Sequence, residues 1–214
     1  MERRHTTSGL AVTTREDGPS RIEGYGAVFH RADDAGTQYE LFDGAVERIG
    51  RGAFDRAIDE GHDVRGLFNH DSNQILGRTQ AGTMRLSVDD VGLKYSIDLP
   101  DTQLARDVIE SIERGDISGS SFAFVPTKVE WSEGRDNGPD VRTIQDLQLF
   151  DAGPVTFPAY EAATTGIRAE GEIEEIKASR EAWRAKRNSE QFAKIFRTQF
   201  AEQEAKLDAE GFVQ

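Results

Sequence analysis

Near residue 170 the sequence changes texture, and the change divides what the chain can fold into. Residues 170–210 hold no proline and one glycine, are dense in Glu, Ala, Lys, Arg and Gln, and set Phe192, Ile195, Phe196 and Phe200 on one helical stripe. Residues 21–168 instead break into short alternating or apolar runs separated by turn residues, the pattern of strands. The expectation is an α+β chain. A β-barrel-like body of antiparallel sheet with a few flanking helices covers 1–169, and a helical C-terminal extension covers 170–214.

Within the body, "RIEGYGAVF" (21–29) and "YELFDGAVERI" (39–49, with one Gly break) read as strands. "GRGAFDRAIDEG" (50–61) reads as a short helix, with Phe54 and Ile58 four apart and Gly61 beyond its end. "VRGLFNH" and "ILGRT" flank the turn-like "DSN", and "GTMRLSVDDVGLKYSIDLP" (82–100) is a hairpin with Met84, Leu86 and Val88 on one face. Leu104, Val108 and Ile112 mark a helix for which Asp101 is the expected N-cap and Gly115 the stop. "SGSSFAFVPTKVEW" and "VRTIQDLQLFDAGPVTFPA" are two long strands joined by the polar loop "SEGRDNGPD".

Composition removes several function classes. The chain has no cysteine, which excludes disulfides, thiolate nucleophiles and Cys-ligated zinc. Lys and Arg total 26 against 39 Asp and Glu, a net charge of −13 that argues against a nucleic-acid partner. No apolar run approaches the roughly 20 residues needed to span a bilayer, and "MERRHTTSGLAVTTRED" lacks the apolar stretch of a signal peptide. No membrane partner is therefore expected, and a soluble cytoplasmic protein is.

The chemistry-bearing candidates lie in a few places. "GDISGSSFAF" (115–124) holds three serines. Ser118 falls at a helix-to-strand turn, where serine is ordinary. Ser121 sits in "GSSFA", close to a Gly-x-Ser-x-Gly elbow, yet no histidine follows it and the segment after it reads as strand, so the α/β-hydrolase reading fails. A serine nucleophile needs a base and a group to orient that base. Of His5, His30, His62 and His70, His70 is the preferred base, because it ends the apolar run "GLFNH" ahead of a turn. His62 has charged loop neighbours, His5 lies in a terminal segment expected to be disordered, and His30 stands at a strand end. Asp151 interrupts "LQLFDAGPVTFPA"; a carboxylate there either bonds a histidine or caps a backbone turn. "LFDGA" (41–45) and "LFDAG" (149–153) leave open an aspartic-type protease using Asp43 and Asp151 as a proton-sharing pair.

Several separately spaced motifs carry a resemblance: "IEGYGAVF", "ERIGRGAFDRAI", "LFNHD", "LGRT", "GTMRLSVDDVGLKYSIDLPDT", "IERGDISGSSFAF" and "LFDAGPVTFPAYEAA". Over residues 8–168 the chain resembles the prohead (capsid maturation) serine proteases of tailed phages with HK97-type capsids, whose fold looks distantly like herpesvirus assemblins. The resemblance implies a catalytic set of His70, Ser121 and Asp151, working without metal or cofactor. The oxyanion donors are not readable from the sequence; a backbone N–H near Ser121 and Arg142 are the candidates considered. The resemblance implies major capsid protein, scaffolding segments and the protease itself as substrates. It further implies a homo-oligomer, a dimer or higher, working in the host cytoplasm inside the procapsid. A non-enzymatic scaffold or assembly protein that kept the protease fold is the alternative from another class. The tail, with 8 basic against 10 acidic residues, is expected either to pack on the body or to serve docking or subunit pairing before self-cleavage near its start.

Overall fold

In chain order the strands and helices are β1 (Glu2–Thr6), β2 (Ala11–Thr13), β3 (Arg21–Val28), β4 (Tyr39–Phe42), β5 (Ala45–Ile49), α1 (Asp55–Asp59), β6 (Arg65–Leu67) and β7 (Ile75–Arg78). They continue with β8 (Met84–Val88), β9 (Gly92–Asp98), α2 (Gln103–Glu113), β10 (Gly119–Ser132), β11 (Asp140–Val155) and α3 (Glu170–Ala209). The structure, a computed structural model, describes residues 1–6, 9–14, 19–157 and 170–209. It separates into two units, Met1–Ile167 and Arg168–Gln214.

The first unit is built on two sheets. One runs β1-β10-β11-β5-β4, with β6 added against β11 and β7 against β6; the other runs β2-β3-β9-β8. The class is α+β as expected, but among the described residues the sheets do not close into a barrel. Nor is the pairing wholly antiparallel: β11 runs parallel to both β5 and β6. Period-2 alternation explains how the sheets face each other. Ile22, Leu93, Tyr95 and Ile97 of the small sheet share one core with Phe122, Phe124, Ile144, Leu147 and Leu149 of the large one. Phe54, just ahead of α1, meets Phe122 edge-on at 5.8 Å, and Phe122 stacks on Phe124 at 4.8 Å.

Local chemistry accounts for the boundaries. The run 39–49 splits into a hairpin because Gly44 takes a left-handed φ of 72° between β4 and β5. The short helix α1 is fastened by Arg56, whose Nε donates to both Asp146 oxygens at 3.0 Å. That hydrogen bond, with the charge behind it, holds the Asp146 carboxyl below the ordinary carboxylate range. The N-cap of α2 is Thr102 rather than the expected Asp101: the Thr102 hydroxyl accepts from the Ala105 N–H at 3.3 Å. Asp101 lies outside the helix and pairs with Arg106. Thr102→Ala is expected to lower stability by about 1 kcal/mol, read as a shift of the denaturation midpoint, whereas Asp101→Ala should leave it nearly unchanged.

In the second unit α3 is a single helix of 40 residues. Phe192 on it is 73% exposed; the side chains of Ile195, Phe196 and Phe200 lie outside the described residues. No described helix is long and apolar enough to cross a membrane.

Candidate active site

Ser121 and Asp151 reach one face of the large sheet through the pairing of β10 with β11. Ser121 lies opposite Gly153 and Ala123 opposite Asp151. Because alternate residues share a face, Ser121, Ala123, Asp151 and Gly153 point the same way. Their neighbours turn inward: the Ser120 hydroxyl meets the Tyr95 hydroxyl at 2.8 Å, and Phe122 fills the core. "GSSFAF" therefore has one structural serine and one serine on the opposite face. Ser118 precedes β10 and is exposed.

His70 arrives from β6. That strand pairs with β11 through Arg65 and Asp151, ends at Leu67, and turns back over the sheet. His70 thus stands in the turn beyond the strand and not at its last position. Asn69 and His70 both take left-handed backbone angles, φ 55° and 58°, a conformation costly for most residues other than glycine and, among those, tolerated best by Asn and Asp. The turn is held by three bonds. The Asn69 N–H donates to the Pro154 carbonyl at 3.1 Å. Asn69 Nδ2 donates to Thr156 Oγ1 at 3.0 Å, and the Thr156 N–H donates to Asn69 Oδ1 at 2.8 Å. Asn69 thus clamps the turn to the end of β11.

Gly153 makes room for this turn. A Cβ at Gly153 would lie 2.2 Å from the Leu67 carbonyl oxygen, a backbone atom that cannot swing aside. Gly153→Ala is expected to displace the end of β6 and the imidazole it carries. Since misplacing a reacting group by an ångström costs about 100-fold in rate, kcat should fall by that order while the circular dichroism spectrum stays sheet-like. Unchanged kcat would show that the turn does not depend on this close approach.

The three side chains meet. His70 Nδ1 is 2.5 Å from Asp151 Oδ1, and His70 Nε2 is 2.6 Å from Ser121 Oγ. A carboxylate only accepts, so the imidazole hydrogen belongs on Nδ1, and the Nε2 lone pair faces the hydroxyl. The His70 and Asp151 side chains are 5% and 6% exposed, and Ser121 is fully buried. Ser121 Oγ has a further neighbour, the Arg4 carbonyl on β1, at 2.9 Å.

The remaining candidates stand apart from this constellation. His62 Nδ1 accepts from the Leu149 N–H at 3.4 Å and has Glu60 at 3.5 Å. His30 contacts the Thr37 hydroxyl at 3.3 Å, and its pKa is lowered by desolvation and then by Arg48. The His5 side chain lies outside the described residues, although its backbone pairs opposite Ser121. Asp43 is exposed in the β4–β5 turn. Ala45, two residues on, pairs with Asp140, eleven residues along β11 from Asp151, on the order of 30 Å of strand. The two carboxylates cannot share a proton.

Arg142 is also not an oxyanion donor to Ser121. It is buried against Glu47 and Glu2, and Arg4 joins the same cluster: Arg4 Nε donates to Glu47 Oε1 at 2.5 Å and Nη2 to Glu2 Oε2 at 2.7 Å. Burial pushes the Glu47 carboxyl up, and the guanidiniums of Arg4 and Arg142 oppose the shift. Sequence reasoning missed Arg4 and Glu2 because "ERRHT" has no apolar alternation. It missed Asn69 too, whose signal was an asparagine before a turn, a residue type that, after glycine, tolerates positive φ well.

A hydroxyl, an imidazole and a carboxylate aligned in that order on a β-rich scaffold define the arrangement shared by serine hydrolases. Residues 8–179 match the family described as caudovirus prohead serine protease, and the chain belongs to that family. Comparison with curated proteins and with solved structures gives no match.

Proposed function

We propose that this prohead protease cleaves the major capsid protein, scaffolding segments and itself, with Ser121 as nucleophile, His70 as general base and Asp151 orienting the imidazole. The observation that carries the reading is the pair of short contacts from His70, 2.5 Å to Asp151 and 2.6 Å to Ser121. In the first half-reaction Ser121 Oγ attacks the scissile carbonyl carbon while its proton passes to His70 Nε2. Asp151 stabilises the imidazolium that forms. The tetrahedral species then collapses: the C–N bond breaks and Nε2 returns the proton to the leaving amine. Water, deprotonated by the same nitrogen, attacks the acyl-enzyme and releases the acid and the serine.

The deciding experiment is co-expression with the cognate capsid protein, followed by intact-mass measurement of both chains. Discrete truncations of capsid chain and protease that vanish with Ser121→Ala support the reading. Intact chains that still assemble into proheads would instead favour the assembly-protein alternative.

Residues 1–169 are proposed as the protease domain, and 170–214 as an extension for docking or subunit pairing that self-cleavage removes. The exposed Phe192 on α3 supports an association surface. A chain ending at Glu170 is expected to cut peptides at the full-length rate yet stay outside proheads on sedimentation; aggregation of that chain would place the stripe in the core.

A further inference from the structure

Two acceptors compete for one hydrogen at Ser121. The hydroxyl is 2.6 Å from His70 Nε2 and 2.9 Å from the Arg4 carbonyl, and it can donate to only one of them at a time. Donation to Arg4 withholds the proton from the base. The hydroxyl is also inaccessible, since Ser121 is fully buried. With β1 in place, a peptide bond has no path to the nucleophile along this edge.

The element responsible is short and peripheral. Among the described residues β1 is a five-residue edge strand, antiparallel to β10, with His5 opposite Ser121 and Arg4 opposite Phe122. It precedes the residues, 8–179, that match the family. On its other side β10 is bonded to β11. The edge covered by β1 is therefore where an extended peptide can add to the nucleophile's strand through main-chain hydrogen bonds, a common mode of peptide recognition.

β1 is held there by side chains as well as by its backbone. The Arg4 guanidinium lies on Glu47, 5.6 Å from the Tyr39 ring centre and 5.4 Å from that of Phe124. Glu2 enters with it and faces Arg142. Among the described residues two carboxylates and two guanidiniums are thus buried together, and their formal charges cancel. A segment that replaces β1 keeps this balance if it carries an acidic and a basic residue two positions apart on one strand face.

We propose that β1 occupies the substrate's strand position and holds the protease shut. An extended segment of a substrate chain takes its place on β10, sets its own carbonyl carbon against Ser121, and frees the hydroxyl proton for His70. The proposal rests on the assignment of Ser121 as nucleophile.

The test uses the full-length chain and the peptide Met-Glu-Arg-Arg with its terminal carboxyl replaced by a phosphonyl fluoride. That probe carries the sequence of residues 1–4, with phosphorus where the Arg4 carbonyl carbon stands. Ser121 Oγ displaces fluoride from phosphorus, its proton passing to His70. Arg4→Ala, which weakens the hold on β1, is expected to raise the labelling rate at least about tenfold by increasing the open fraction. In the wild-type chain, hydrogen exchange at residues 2–6 should accelerate once the probe is attached, while β10 and β11 stay protected. Labelling of Arg4→Ala no faster than wild type, or residues 2–6 still protected in labelled wild type, would overturn the proposal. The second measurement decides alone if Arg4→Ala does not fold. Absence of label at Ser121 in both chains would remove the nucleophile assignment itself, an outcome distinct from label without strand release.

Discussion

Ser121→Ala is expected to stop processing of the capsid chain, with a loss in kcat on the order of a millionfold when triad members act as a unit. The substitution removes one oxygen on the sheet face away from the core aromatics, so the fold should persist, with an unchanged circular dichroism spectrum. The hydroxyl is the atom that both His70 and the Arg4 carbonyl contact. Its loss therefore cannot be made good by Ser118, exposed ahead of the strand, or by Ser120, whose oxygen is engaged with Tyr95. Intact-mass analysis of co-expressed chains gives the answer directly. Trimming by Ser121→Ala at near wild-type rate would end the nucleophile assignment, and Ser118→Ala should trim normally.

The largest loss of stability is expected from Glu47→Ala. Its carboxylate is the meeting point of Arg4 and Arg142, both almost wholly buried. Removing it takes from both guanidiniums a carboxylate they share, and breaking a buried ion pair from one side costs about 3–5 kcal/mol. Urea unfolding should show this as a large fall in midpoint. Removing Glu47 and Arg142 together restores neutrality, so the double substitution to apolar residues of similar size should cost less than the two single losses combined. Additive losses would mean that the two side chains contribute independently.

Alternation in "RIEGYGAV" and in the 84–98 hairpin, and the four-residue spacing in 103–113, are local signals, and those elements form where they were expected. The three residues that converge could be nominated individually: a serine entering a strand, a histidine beside a turn, an aspartate interrupting an apolar run. What local pattern could not convey is pairing over distance. Arg4, Glu47 and Arg142 come from three strands far apart in sequence, and each alone looks like a residue bound for solvent. The parallel contacts of β11 with β5 and β6 have no periodic signature either. Nor does the left-handed turn at Asn69, which is imposed by the clamp to Thr156 and permitted by the bare α-carbon of Gly153.

That same strand, β11, governs when the site can exist during synthesis. It is the last described strand of the first unit, yet β5, β6 and β10 all pair with it, and it carries the aspartate that meets His70, 81 positions earlier. Contacts of such sequence separation form late and slowly compared with local ones. A ribosome adds about 5–20 residues each second, so a nascent chain that has released Ser121 and His70 still waits seconds for residue 155. In that interval the large sheet has no centre, and the imidazole has no carboxylate to hold it. Translation thus imposes a delay between making the hydroxyl and placing it beside a histidine that a carboxylate holds.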